Sequence, residues 1–417
     1  MSVVIIGGGQ AGVQVADSLR NVGYSEPITI IAEEIEFPYQ RPPLSKDFIQ
    51  GATANTPAVL PLRPSEFFDT NDIELLRGQK ATHIDPRTKT VYISDKSIPY
   101  DYLVLATGSV NRTLDCPGAQ ADGISSLRTL DDAQRLHAEL ATAESVTVVG
   151  AGFIGLEFAA AAAGRGCSVS VVNRGERPLR RSVSTVVADW VTRWHQDCGV
   201  EFRFGQTVTA FDMTPSGRVA ACRTTAGDVI ATDLVVVGVG ARANDSLAAE
   251  AGLATNNGVL VNASLQTSDP AIFAVGDCAT FPAGWADGGF TRVESVQNAV
   301  DQAKHIAHVI IGGSKPYVDV PWFWSIQGKN RLQMAGVSNQ NDDVLIIGSM
   351  EDAKFAALCF RDDLLTAVET VNMPGEHIAA RKVLSESVPL YVDDVTGSDF
   401  SVKAFLKHAT EAVARVR

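Results

Sequence analysis

The sequence predicts an α/β fold made of two glycine-punctuated βαβ units, followed by a smaller α+β domain. Three observations carry this reading. First, a β-branched run at Ser2–Ile6 leads into Gly7-Gly8-Gly9-Gln10-Ala11-Gly12. A helical pattern follows from Ala11 to about Asn21, and a second strand runs over Pro27–Ile31. Second, the same order recurs downstream. The strand Val146–Val149 meets Gly150-Ala151-Gly152-Phe153-Ile154-Gly155, then an alanine-rich helix to about Gly164 and a strand at Ser168–Val172. Third, the pattern changes after Pro316. Arg331–Ala335, Asp343–Gly348, Phe355–Cys359 and Leu365–Val371 read as antiparallel strands, with helices at about Gly375–Leu384 and Phe400–Val416.

The connecting strands follow from their stops. Tyr102–Leu105 ends in Ala106-Thr107-Gly108, and Leu234–Val237 ends in Gly238-Val239-Gly240. Each lies downstream of one βαβ unit and is placed to close that unit's sheet. A third run, Ala271–Val275, ends in Gly276-Asp277, so the chain is expected to return to the first sheet after completing the second.

Composition narrows the function classes. The chain has 417 residues, 45% of them apolar, and can bury a large core without staples. Its net charge of −13 argues against nucleic acid or an anionic membrane as the main partner. Apolar runs such as Asp233–Ala241 fall far short of the ~20 residues that cross a bilayer. No basic region precedes the apolar start, which reads as a strand and not as a signal peptide. The six cysteines (Cys116, Cys167, Cys198, Cys222, Cys278, Cys359) form no close pair and no zinc spacing, so no metal site is expected and a reducing cytoplasm is the default.

Each glycine motif sits between a strand and a helix, the context a Rossmann-like dinucleotide site requires. The first glycine makes the tight turn, the second lets backbone amides approach a pyrophosphate, and the third lets helix and strand pack. An acid at the end of the second strand should take the ribose hydroxyls. Glu33 holds that position in the first unit. In the second it is Asn173, followed by Arg174, with Arg177, Arg180 and Arg181 close behind. Without the carboxylate, discrimination against a 2′-phosphate weakens, and an arginine could pair with it. The choice between NADH and NADPH is therefore open. Two dinucleotide sites in one chain suggest internal hydride transfer, with a bound flavin in one and a diffusible nicotinamide in the other.

Further motifs make the resemblance specific. They are Tyr39-Gln40-Arg41-Pro42-Pro43-Leu44-Ser45-Lys46, Gly152-Phe153-Ile154-Gly155-Leu156-Glu157, Gly276-Asp277-Cys278-Ala279, Glu294-Ser295-Val296-Gln297-Asn298-Ala299 and Pro321-Trp322-Phe323-Trp324-Ser325. Together, over essentially the whole chain, they resemble the oxygenase-coupled NADH-dependent ferredoxin reductases, the putidaredoxin and rhodocoxin reductase group of the glutathione-reductase-like flavoproteins. The resemblance implies an FAD domain split in sequence (1–112 and 241–318), an inserted NAD(P) domain (113–240) and a C-terminal interface domain (319–417). It implies that Gly7, Gly9, Gly12 and Glu33 hold the ADP half of FAD, and that Arg41 and Lys46 sit beside the flavin. Ala106 and Arg128 would contact FAD, Asp277 would bind its ribityl or pyrophosphate region, and Val296 and Trp324 would lie near its ring. Gly152, Ile154, Gly155 and Glu157 would line the nicotinamide path. A buried lysine needs a partner, and Glu157 is the candidate for Lys46.

The activity implied is NAD(P)H:ferredoxin reduction through FAD, with a [2Fe–2S] ferredoxin feeding a monooxygenase or ring-hydroxylating dioxygenase. Lys304, Lys315, Lys329, Arg331 and Lys354 are the candidate docking cations. Disulfide- and peroxide-reducing relatives carry redox cysteines after the first flavin loop. This chain has none before Cys116, which disfavours both activities. Two readings stand beside the main one: an NAD(P)H oxidase or small-acceptor reductase, and a redox sensor resembling apoptosis-inducing factor.

Overall fold

A computed structural model describes residues 1–51, 59–94, 96–285, 289–397 and 399–416, without the side chains of residues 50 and 412–416. It divides into two compact units. The first comprises Met1–Gln40, Ala58–Val110 and Ala241–Pro321. The second comprises Arg41–Pro57, Asn111–Gly240 and Trp322–Arg417.

The first unit is built on a five-stranded parallel sheet in the spatial order Ile272–Ala274, Tyr102–Leu105, Val3–Ile6, Ile28–Ala32, Ile73–Arg77. Val3 lies opposite Ile28 on one side and Tyr102 on the other. The strands Val3–Ile6 and Ile28–Ala32 are buried at every position, as expected of a parallel sheet covered on both faces. Ile272–Ala274 pairs with Tyr102–Leu105, so the late strand does rejoin the first sheet. The first glycine helix, Gln10–Asn21, packs against Val296–Ile310. The unit also holds a three-stranded antiparallel ribbon (Ala81–Asp85, Thr90–Ile93, Lys96–Pro99) and a small sheet of Val259–Leu260, Ala279–Pro282 and Phe290–Thr291.

The second unit contains a small antiparallel sheet (Val208–Met213, Val219–Thr224, Val229–Ala231) and two larger ones. One of the larger sheets is parallel, in the order Val200–Phe204, Ser168–Asn173, Ser145–Val149, Leu234–Val237, Ile124–Ser125. The other is antiparallel, in the order Trp322–Gln327, Asn330–Gly336, Leu364–Val371, Lys354–Arg361, Asp343–Ser349. The second glycine helix, Phe153–Gly164, packs on the parallel sheet and against the strand Trp322–Gln327. The segment from Arg41 belongs here because its side chains and carbonyls bond into this unit. Arg165, at the end of the second glycine helix, donates to the carbonyls of Ile49 at 2.6 Å and Gly51 at 2.9 Å.

Three long helices have no counterpart in the sequence reading: Leu130–Leu140, Thr185–Asp197 and Val296–Ile310. Leu130–Leu140 opens on a reciprocal capping box between Thr129 and Asp132. Thr185–Asp197 opens on Ser184, whose hydroxyl accepts from the Val187 amide. The larger antiparallel sheet also gains a strand beyond the predicted series, Trp322–Gln327. Among the described residues no helix is long and apolar enough to cross a membrane.

Candidate active site

In the first unit the glycine turn is fixed by contacts that no side chain could share. Gly7 has φ +121°, and a Cβ there would lie 2.1 Å from the Ala106 carbonyl oxygen. A Cβ on Gly12 would lie 1.9 Å from the Gly7 carbonyl oxygen. Gly9 differs: it caps the first glycine helix without a side-chain hydrogen bond, and a Cβ there would meet nothing within 4 Å. The helix therefore presents unbonded amides to open space, a cradle suited to a pyrophosphate. Glu33 follows the second strand directly. Its carboxylate accepts from Lys80 at 2.8 Å, with both side chains about two-thirds exposed, a weak pair that leaves the acid available to ribose hydroxyls. Asp277 accepts from the Ser109 hydroxyl at 3.0 Å, and its backbone carbonyl accepts from Arg292 at 3.0 Å. Val296 is half-buried in the first turn of its helix, behind the N-cap Ser295. These residues fit FAD by donor chemistry and by the glycine cradle.

The second unit repeats the turn. A Cβ on Gly155 would lie 2.5 Å from the Gly150 carbonyl oxygen. Gly152 caps the second glycine helix without a side-chain bond, and the nearest atom to its notional Cβ is 4.0 Å away. Ile154 is 45% exposed beside that opening, an apolar surface where a flat ring could rest. This end also fits a dinucleotide.

One turn further along that helix lies the most elaborate polar cluster of the unit. Glu157 is 2% exposed and accepts from four donors. Lys46 Nζ donates at 2.8 Å, the hydroxyls of Ser45 and Ser325 both donate, and the Ile326 amide donates at 3.3 Å. Lys46 is oriented further by the Pro42 carbonyl at 3.2 Å, at the end of the short turn Pro42–Ser45. The two prolines fix φ there and aim the lysine inward. The expected pairing of Lys46 with Glu157 is present, and Ser45 and Ser325 join it as partners that the sequence does not single out. Behind the cluster, His195 is fully buried. Its ring nitrogens face the carbonyls of Leu156 at 3.2 Å and Val191 at 2.8 Å, and burial lowers its pKa. It braces the turn that carries Glu157.

Arg41 and Arg128 also meet, through the Arg41 guanidinium and the Arg128 carbonyl at 2.6 Å. Trp324 is half-buried in an aromatic run, its ring centroid 5.8 Å from Trp322 and 6.3 Å from Phe323. Asn173 ends its strand as expected, but its amide faces the protein: it accepts from the Ala151 amide at 3.2 Å and donates to the Gly175 carbonyl at 2.9 Å. Arg174 and Arg181 are exposed on the following loop. Of the candidate docking cations, Lys329, Arg331 and Lys354 lie at one end of the antiparallel sheet, where Leu332, Val371 and Phe355 are in register. Lys304 and Lys315 lie in the other unit. The six cysteines are all free.

Residues 1–303 match the family described as pyridine nucleotide-disulphide oxidoreductase, and residues 322–406 match the reductase C-terminal family. The chain is 43% identical to rhodocoxin reductase of Rhodococcus erythropolis over 98% of its own length and 95% of the relative's. It superposes at a TM-score of 0.93 and 38% identity on the ferredoxin reductase of the CYP199A2 system from Rhodopseudomonas palustris, covering 97% of this chain and 99% of that one. A covalent putidaredoxin reductase–putidaredoxin complex matches at a TM-score of 0.92 and 34% identity, covering 98% and 99%.

Proposed function

The chain belongs to the pyridine nucleotide-disulphide oxidoreductases, in their ferredoxin reductase branch, and we propose that it serves as the NAD(P)H-dependent reductase of a [2Fe–2S] ferredoxin feeding a monooxygenase or ring-hydroxylating dioxygenase. The observation that carries this reading is the presence of two glycine-capped helices in one chain, each with unbonded N-terminal amides facing open space. When bound, FAD supplies the exchange between a hydride donor and one-electron acceptors.

The roles of the residues follow. Residues 1–112 and 241–318 form the flavin domain, 113–240 the nicotinamide domain and 319–417 the interface domain. Gly7, Gly9 and Gly12 admit the FAD pyrophosphate, Glu33 takes its ribose, and Ala106, Asp277, Arg41, Arg128 and Val296 complete the flavin's contacts. Gly152 and Gly155 admit the nicotinamide coenzyme's pyrophosphate, with Ile154 against its path. Lys46 holds positive charge at the flavin, and Glu157 fixes where that charge sits. Trp324 and the cations Lys329, Arg331 and Lys354 form the ferredoxin-facing surface, where a local basic patch compensates an acidic protein. The protein works in the cytoplasm.

The test is cytochrome c reduction with NADH or NADPH, each with and without a [2Fe–2S] ferredoxin. The expected result is a large rise on adding ferredoxin. No rise with several ferredoxins, together with slow flavin reoxidation, would transfer the reading to a small-acceptor reductase or a redox sensor.

A further inference from the structure

A dinucleotide site selective for an unphosphorylated ribose places an acid at the end of its second strand, where it accepts from both hydroxyls and repels a 2′-phosphate. Here that position is Asn173, and both ends of its amide bond within the protein. Oδ1 accepts from the Ala151 amide inside the glycine turn, and Nδ2 donates to the carbonyls of Gly175 and, at 3.2 Å, Arg177. Asn173 therefore fastens the following loop to the glycine turn. It offers no negative charge to a ribose, and both of its N–H donors are taken within the protein.

The fastened loop is rich in cation. Residues 174–181 read Arg-Gly-Glu-Arg-Pro-Leu-Arg-Arg. Arg174, Arg180 and Arg181 are exposed, and among the described residues none of them pairs with a carboxylate. Arg180 folds back over the strand end, with its Cδ 4.0 Å from where a Cβ of Gly175 would lie. Arg177 has its Nη1 buried with no hydrogen-bond partner among the described residues.

The loop is also held at both ends. The Leu179 amide donates to the Ala151 carbonyl at 3.0 Å, tying the loop to the glycine turn a second time. Beyond it, the N-cap Ser184 is gripped by the buried Glu369, which accepts from the Ser184 amide and hydroxyl at 2.7 Å each and from the Ser338 hydroxyl at 2.7 Å. The arginines thus project from a preorganised frame beside the position a coenzyme ribose would occupy.

We infer that this loop is a 2′-phosphate site, and that the coenzyme preferred by this chain is NADPH. Planar guanidinium groups match phosphate oxygens bidentately, and the loop sets four arginines (Arg174, Arg177, Arg180, Arg181) against the single acid Glu176. The inference rests on the second glycine unit being the nicotinamide site, and goes beyond it by choosing the coenzyme.

The test measures binding by calorimetry on the full-length FAD-loaded protein, using AMP and adenosine 2′,5′-bisphosphate as probes. The bisphosphate is expected to bind about tenfold tighter than AMP or better, with an advantage that shrinks as salt rises. The Arg174→Gln/Arg180→Gln variant should bring the two probes to within about twofold of each other. Equal binding of both probes to the unchanged protein overturns this inference alone. A bisphosphate advantage untouched by the double variant also overturns it, because the phosphate is then bound elsewhere. Binding of neither probe, nor of either full coenzyme, overturns the nicotinamide assignment of the second glycine unit and this inference with it.

Discussion

Replacing Glu157 with alanine removes one acceptor from four donors at once. The Lys46 side chain is 12% exposed and that of Glu157 3%, so the pair is effectively out of water. After the substitution the ammonium keeps only the Pro42 carbonyl at 3.2 Å and the Ser45 hydroxyl at 3.3 Å. Removing one partner of a buried pair costs about 3–5 kcal/mol, because the surviving charge stays buried without compensation. At roughly 2–3 °C per kcal/mol for a unit of this size, the thermal midpoint should fall by about 6–15 °C. Glu157→Gln keeps the shape and one acceptor for Ser325 and Ile326, and should lose about half as much. Lys46→Met removes the opposite charge. If the pair is coupled, Lys46→Met/Glu157→Gln should be more stable than the sum of its singles by about 2 kcal/mol. Differential scanning fluorimetry on the flavin-loaded protein reads all four. Stopped-flow reduction followed at the flavin absorbance should slow at least about tenfold in Glu157→Ala. An alanine variant within about 1 kcal/mol of the parent, or strict additivity in the double variant, would refute the argument that Glu157 fixes the lysine.

The two glycine turns should fail separately. Gly12→Ala, with its Cβ forced to 1.9 Å from a backbone oxygen, should lose most of its FAD, read as the flavin-to-protein absorbance ratio. Gly155→Ala meets the Gly150 carbonyl at 2.5 Å and should keep its flavin while the nicotinamide coenzyme Kd rises by about tenfold, measured by calorimetry. His377 is buried against Trp322 and near Arg381 and Arg331; burial first, then those charges, hold its pKa down at about 4. Between about pH 6.5 and 4 the folded chain therefore binds fewer protons than the unfolded one, and stability falls as pH falls through that window. This group should contribute at most about 2 kcal/mol of loss between pH 6.5 and 5, and His377→Leu should shrink the difference in urea-unfolding free energy between those pH values by that amount.

The readable parts of the fold were those whose signals are local. Val3–Ile6 and Val146–Val149 are β-branched runs stopped by glycine, and a strand–glycine–helix order can close in few ways. The helix Thr185–Asp197 had a usable signal, with Val187, Trp190, Val191 and Trp194 at helical spacing, but no glycine motif drew attention to it. Within the candidate site, Lys46 and Glu157 could be paired because a buried ammonium demands a carboxylate. Ser45 and Ser325 could not, since a hydroxyl has many possible acceptors and Ser325 lies 168 residues from Glu157. Asn173 shows the same limit from the other side. Its position was legible, whereas whether its amide faces a ribose or its own loop depends on the path of residues 174–179, which local pattern does not set.

The strand Trp322–Gln327 explains why a reductase of this build can keep two jobs apart in one unit. Successive side chains of a strand point to opposite faces. Phe323, Ser325 and Gln327 point toward the second glycine helix. Phe323 meets Phe153 at 4.7 Å between centroids, Ser325 holds Glu157, and Gln327 donates to the Phe153 carbonyl at 3.4 Å and to Ser325 at 2.8 Å. Trp322 and Trp324 point the other way, where Arg381 lies 4.0 Å over the Trp322 ring and His377 packs edge-on against it. One face thus locks the carboxylate that positions Lys46, and the other carries Trp324, the residue proposed to face the ferredoxin. A substitution confined to the outer face, such as Trp324→Ala, leaves every hydrogen bond to Glu157 in place. It should therefore separate ferredoxin reduction from flavin reduction by NAD(P)H, slowing the first and sparing the second. Equal slowing of both would mean that the strand couples its two faces and does not insulate them.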